Sequence, residues 1–185
     1  MIPSVEGKRG GVAIICGSAP TLLDEFNEVI KKRPDAIIVG INEALWAVKC
    51  DILMTYHLLE VSHFLSKSLN KDIEIHTSKG YREELKDLAH KFWTVQGGAT
   101  SAGDAIQICR EMGFDEIILV GCPMNGGDGY FHGNEKENVD GCPRFGGKNN
   151  VAGQHKAKLK EICKGFDNVY SMSGFTAELF GKPKL

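Results

Sequence analysis

The sequence predicts a single α/β domain in three layers, with a mainly parallel sheet of about six or seven strands under helices on both faces. Three observations predict it. Short apolar runs alternate with amphipathic stretches along the chain. The runs are apolar at consecutive positions, as strands buried on both faces require. The length of 185 residues suits one compact domain.

The elements follow in order. Gly11–Cys16 (GVAIIC), ended by Gly17, reads as a buried strand. Leu22–Arg33 has apolar residues at 22, 23, 26, 29 and 30, which is helical spacing, and Pro34 stops it. Ala36–Gly40 and Asp51–Thr55 are the second and third strands. Ile73–His76 and Phe92–Val95 are weaker strand candidates. A helix is expected between them over Arg82–His90, with Leu85, Leu88 and Ala89 on one face. Ser101–Met112 is apolar at 102, 105, 106, 108, 109 and 112 and reads as a second strong helix. Gly113 follows it as a C-cap residue would. Glu116–Val120 (EIILV) is the clearest strand, and Val151–Lys164 a further helix before a last strand near Asn168–Met172. One stretch breaks the rhythm: 126–150 is 25 residues without apolar periodicity and with seven glycines. A segment of that length after the best strand reads as a lid-like loop over a site.

Composition narrows the function classes. Lys+Arg is 22 against Asp+Glu 24, a net charge of −2. General nucleic-acid or membrane-surface binding calls for a basic surplus, so neither is expected. No apolar run is long enough to span a bilayer. Residues 1–10 have no apolar core, so a secretory signal is not expected and a cytoplasmic location is. The six cysteines, at 16, 50, 109, 122, 142 and 163, form no C-x-x-C pair. Cys16 and Cys109 lie inside apolar patterns and read as reduced core thiols. Cys122, His132, Cys142 and His155 are spaced ten, ten and thirteen apart, which matches no standard zinc site, so no bound metal is expected there.

Four places could carry chemistry. Gly17-Ser18-Ala19-Pro20-Thr21 joins the first strand to the first helix. It is either a plain turn, with Thr21 as N-cap, or a cradle for phosphate at a helix N-terminus. It is neither a Walker loop nor G-x-G-x-x-G. Gly97-Gly98-Ala99-Thr100-Ser101-Ala102-Gly103 opens the second strong helix, as a capped turn or as another anion cradle. Two such turns in one small sheet suit one nucleotide bound across a reversal of strand order. Asn42-Glu43 and Tyr56-His57 follow strands two and three, where polar side chains cap helices or read a ribose or base. The loop carries Asp128, Tyr130, His132, Asp140, Arg144 and Lys148, and His155 opens the next helix. Either His132 or His155 has the chemistry of a general base, because imidazole titrates near neutral pH.

Two stretches together resemble a group of Rossmann-like transferases. Gly17-Ser18-Ala19-Pro20-Thr21-Leu22 resembles that group's G-x-G-P-S-L turn. The stretch from Gly97 to Gly103, continued through Ile117-Ile118-Leu119-Val120-Gly121, resembles its Gly/Ser turn, helix and Ile-x-Leu-x-Gly strand. The group includes the hydroxymethylpterin diphosphokinase-like (MptE-like) proteins and the bacterial sialyltransferases that use CMP-sialic acid. The likeness runs from about Gly11 to Gly174 and rests on the two turns. The sialyltransferase comparison implies that Gly17–Thr21 holds nucleotide phosphate and ribose. It implies that Asn42 contacts the nucleotide, that Thr100-Ser101 lies against ribose or base, and that His155 is the base. The MptE-like comparison nominates His132 instead. The chain departs from the group at Ser18, where the sialyltransferases have Asn, and at Pro123, where an Asp is common.

The expectation is therefore a nucleotide-binding transferase resembling a CMP-sugar-dependent glycosyltransferase. Its catalytic residues are His155, then His132. Its nucleotide contacts are Gly17, Ser18, Ala19, Pro20, Thr21, Asn42, His57, Gly98, Thr100, Ser101 and Gly121. The nucleotide or nucleotide-sugar is a substrate, and no cofactor is tightly bound. One alternative is an ATP-dependent, pterin-type diphosphokinase with Mg²⁺ held by carboxylates such as Asp104, Asp128 or Asp140. The other is a non-catalytic binding or assembly protein on the same fold.

Overall fold

The strands over 12–16, 37–41 and 52–54 carry no polar side chain, so the chain can bury them only under helices on both sides. The computed structural model describes residues 10–78, 87, 89–96, 100–125 and 151–185. The chain runs through β1 (Val12–Cys16), α1 (Leu22–Lys32), β2 (Ile37–Ile41) and a 3-10 helix (Asn42–Trp46). Next come β3 (Ile52–Met54), a short 3-10 helix (Leu58–Glu60), α2 (Val61–Ser66), β4 (Glu74–Ser78) and β5 (Lys91–Trp93). Then follow α3 (Ser101–Glu111), β6 (Glu116–Val120), α4 (Val151–Ile162), β7 (Val169–Ser171) and α5 (Gly174–Phe180).

The seven strands form one sheet in the order β5-β4-β3-β2-β1-β6-β7. Every pair is parallel. This is a three-layer, Rossmann-like α/β fold. Side chains alternate between its faces. Ala13, Ile15, Ile117 and Leu119 pack with Ile106 and Cys109 of α3, Met112 just after it and Leu159 of α4. Ile14, Cys16, Ile118 and Val120 pack with Leu22 and Val29 of α1, Leu45 of the first 3-10 helix and Phe64 of α2. Because all strands run one way, each crossing helix starts at the carboxyl edge of the sheet. The starts of α1, α3 and α4 therefore share that edge.

The strong elements lie where the sequence predicts them, within one to three residues. Gly113 has φ +82° and donates to the Arg110 carbonyl at 2.9 Å, the expected helix stop. Three expectations change. The helix expected over Arg82–His90 lies mostly outside the described residues, but its last residue is not helical. His90 N–H donates to the Ile75 carbonyl at 2.8 Å, and its Nδ1 accepts from Ile75 N–H at 2.9 Å. Pairing with β4 thus takes the backbone groups that a helix would need. Thr21 does occupy the N-cap position of α1, where its carbonyl accepts from Glu25 N–H at 3.1 Å, but its backbone is already helical (φ −74°, ψ −7°) and its side chain makes no cap bond. The short α2 and α5 lie in stretches that the sequence left unassigned. Each is under two turns, too short to show helical periodicity.

The strand order reverses between β1 and β6, and there the chain closes tightly. Gly17 N–H donates to the Val120 carbonyl at 2.8 Å, and Ala19 N–H to the Gly121 carbonyl at 3.1 Å. A Cβ on Gly17 would sit 2.4 Å from the Gly121 oxygen, and one on Gly121, at φ +62°, would sit 2.9 Å from Leu22 Cβ. Only glycine fits at either position. Gly121→Ala should lower stability by about 2 kcal/mol or more, because crowding adds to backbone strain. Gly165→Ala, also at positive φ (+80°) but with open space around it, should cost about 1 kcal/mol. Urea unfolding of both variants checks this, and equal losses would remove the crowding.

Candidate functional site

The carboxyl edge of a doubly wound sheet is where its ligands bind, at the reversal of strand order. Here that reversal is β1 beside β6, and much of it is already filled. Gly17 and Ala19 give their N–H groups to β6. Pro20 has none to give. Gly121 N–H donates to Glu25 Oε2 at 2.7 Å, and Glu25 is only 9% exposed. A side-chain carboxyl from α1 thus takes the place against Gly121 that a bound anion would need. The turn Gly17–Thr21 keeps Ser18 and Thr21 as its remaining backbone donors. The sequence pattern marked the turn correctly, but half of its donors hold the sheet together.

One strand away, the edge is differently made. Asn42 follows β2 with φ +50°, a conformation that asparagine tolerates better than most residues. Its Oδ1 is buried and has no hydrogen-bond partner among the described residues. A buried amide oxygen without a donor is costly, about 1–3 kcal/mol, and native chains rarely leave one without a reason.

After β3 the backbone turns through Thr55, Tyr56 and His57. Thr55 Oγ1 accepts from His57 N–H at 2.8 Å, which sets the turn. His57 stays partly exposed, with Nδ1 3.7 Å from Glu60. The Tyr56 hydroxyl donates to the Thr100 carbonyl at 3.2 Å, joining β3 to the start of α3. Thr100 is the N-cap of α3, and its hydroxyl accepts from Gly103 N–H at 3.1 Å. Gln107 clamps the approach to this helix: Nε2 donates to the Gln96 carbonyl at 2.8 Å, and Oε1 accepts from Gln96 N–H at 3.1 Å. Thr100 is thus occupied as a cap, while Ser101 faces a small cleft. Met54, Thr55, Tyr56, Thr77, Ser101, Asp104 and Ile108 line that cleft.

Beyond β6 the chain is tied to α5. Pro123 packs against Gly174, where a Cβ would lie 2.4 Å from the Pro123 oxygen. Phe175 N–H donates to Asn125 Oδ1 at 3.0 Å, and the Thr176 hydroxyl donates to the Cys122 carbonyl at 2.7 Å. The position where the resembling group commonly carries an Asp is thus a packing contact here. His155 lies in the second turn of α4, half-buried, and burial holds its imidazole below the ordinary value. His132, Gly98 and the rest of 126–150 lie outside the described residues.

Among the described residues, no group of three His, Cys, Asp or Glu is placed to hold a metal ion. Burial pushes the Cys50, Cys122 and Cys163 thiols up to about 12, and Cys16 well above its usual value. They are protonated at neutral pH and packed as core residues, not prepared as thiolate ligands.

Sequence reasoning missed Glu25, Thr77 and His76. Glu25 looked like any acidic residue in a first helical turn. Thr77 lay just past a weak strand. His76 is fully buried on β4, where its Nδ1 accepts from Trp93 Nε1 at 3.2 Å and its Nε2 lies 3.0 Å from Glu74. An indole N–H only donates, so this histidine carries its proton on Nε2 and is a packed, structural residue.

Comparison with protein-family models, with curated proteins and with solved structures returns no match.

Two outcomes follow. Glu25→Ala removes the acceptor from a buried N–H and should cost about 1–3 kcal/mol in chemical unfolding. Glu25→Gln keeps an acceptor oxygen and should recover most of the loss. With Cys142 replaced by serine, an aromatic disulfide reagent at pH 8 should titrate no thiol in the native protein. It should titrate all five described cysteines after denaturation. Fast reaction of Cys122 in the native state would contradict the burial.

Proposed function

We propose that this protein is a nucleotide-binding transferase that holds its ligand along the carboxyl edge of β1, β2 and β3, in the manner of CMP-sugar-dependent glycosyltransferases. The observation that carries the proposal is Asn42: a left-handed residue at the end of β2 whose buried amide oxygen has no hydrogen-bond partner among the described residues. That oxygen is positioned to accept a hydroxyl or N–H of a bound ligand. A ribose or a base supplies such donors. Ser18 and Thr21 supply the remaining backbone donors of the first turn for phosphate, at the positive end of α1. His57 and Ser101 border the same edge.

In this reading His155 is the general base. Burial disfavours its protonated form, which leaves the ring nitrogen able to take up a proton. It takes the proton of an acceptor hydroxyl as that oxygen attacks the sugar carbon, and the nucleotide phosphate leaves with the bonding pair. The start of α1 stabilises the charge that develops on the phosphate. His132 is the second choice for the base. The diphosphokinase reading would need carboxylates gathered around Mg²⁺. Of its candidates only Asp104 is described, and it lines the cleft beside α3.

A thermal-shift series with CMP, CDP, UDP, GDP, ADP and ATP, each with and without Mg²⁺, tests the proposal. A ligand at 100 times its Kd stabilises by about 2.7 kcal/mol. A metal-independent shift with CMP is the expected result. A shift only with ATP and Mg²⁺ favours the diphosphokinase, and no shift at all favours a non-catalytic protein on this fold. His155→Ala should abolish turnover and leave nucleotide affinity within a few-fold. The same residue predicts a pH effect. Unfolded, His155 takes up a proton near pH 6.5. Folded, it does so only at lower pH. Within that window the unfolded chain binds the extra proton, so the His155 contribution falls as pH drops below about 6.5. The melting temperature of the wild type should fall relative to His155→Gln between pH 7 and pH 5.

A further inference from the structure

The cleft beside the start of α3 has features that a helix cap does not need. Thr77 is 1% exposed, and its Oγ1 has no hydrogen-bond partner among the described residues. Asp104, one turn into α3 and 5% exposed, lines the same cleft. The apolar walls are Met54 and Ile108, with Tyr56 held in place through its bond to Thr100. The cleft has room for about one water-sized group. The start of α3 carries positive partial charge, but Asp104 already answers it from within the helix. A phosphate here would therefore face a carboxyl group. A small hydrogen-bond donor would instead meet a carboxyl oxygen, and Thr77 would gain the partner that it lacks.

We propose that this cleft receives the exocyclic amino group of the nucleobase, with Asp104 and the Thr77 hydroxyl as its acceptors. The inference rests on the nucleotide reading above and makes it specific for amino-bearing bases such as cytosine. The geometry is coherent with that reading. Asn42 ends β2, the cleft opens at the ends of β3 and β4, and β2, β3 and β4 are consecutive in the sheet. A nucleotide with its sugar near Asn42 then points its base toward β4. Sites that satisfy their buried polar groups with a ligand donor discriminate strongly against analogues that lack it.

CMP and UMP differ at this position, an amino group in one and a carbonyl in the other. Calorimetric titration of the full chain with each should show CMP binding at least tenfold more tightly. Asp104→Asn offers an N–H donor in place of an acceptor and should erase or reverse that preference. Thr77→Val keeps the shape, removes the hydroxyl and should reduce the preference several-fold. If Asp104→Asn does not fold, as judged by circular dichroism, the nearly isosteric Thr77→Val decides alone. Equal affinity for CMP and UMP in the wild type would overturn the inference and leave the nucleotide reading intact. So would a preference that neither variant changes, in which case the cleft holds only a structural water. Binding of neither nucleotide would overturn both.

Discussion

The close contact of β1 with β6 is the constraint on which the rest of the structure depends. The sheet grows outward from this pair, through β2 to β5 on one side and to β7 on the other. With all strands parallel, that arrangement brings the starts of the crossing helices to one edge. The contact itself requires two glycines, Gly17 and Gly121, at a separation that no Cβ survives. Glu25 completes it by accepting from Gly121 N–H inside the protein. The seam that creates the candidate ligand edge thus occupies part of that edge's hydrogen-bonding groups. Gly17, Ala19 and Gly121 have spent their N–H groups on the fold.

What remains for a ligand is the N–H of Ser18 and Thr21 in the first turn and a set of groups around β2, β3, β4 and α3. There, among the described residues, the amide oxygen of Asn42 and the hydroxyl of Thr77 have no hydrogen-bond partner. Backbone donors at a helix start favour anions. Side-chain acceptors favour the N–H and O–H groups of a sugar or base. The two kinds of group sit at different places along one edge, which is why the proposed ligand is one that carries both an anion and N–H or O–H donors. Pro123 fits the same division. Its packing against Gly174 ties the end of β6 to α5 and leaves that end without a carboxylate.

Much of the fold was legible because its signals are local. Apolar runs such as Ala13–Cys16 and Ile117–Val120 bury both faces of a strand, so they need no partner to be recognised. Leu22–Lys32 and Ser101–Glu111 repeat their apolar residues at helical spacing over three turns, and the glycine after the second of them stops it. The failures were equally physical. His90 belongs to a helical pattern by spacing, but its backbone is claimed by Ile75 across the sheet. α2 and α5 are too short to show a period. Thr21 has a capping side chain at the right distance, yet the turn of which it is part is already helical.

The candidate site divides along the same line. Where polar residues follow strands can be read along the chain: the Gly17–Thr21 turn, Asn42, His57, Thr100 and Ser101 all fall on the carboxyl edge, because a strand followed by a helix in a parallel sheet has nowhere else to turn. Only the tertiary structure decided which of those groups are still available. Thr100 is spent on Gly103, Gly121 on Glu25, and Gly17 on Val120, whereas Asn42 and Thr77 each keep a polar atom without a partner among the described residues. Availability of a hydrogen-bonding group depends on what the rest of the chain brings against it, and Glu25 and Gly121 are 96 residues apart in sequence. No local pattern records such a meeting.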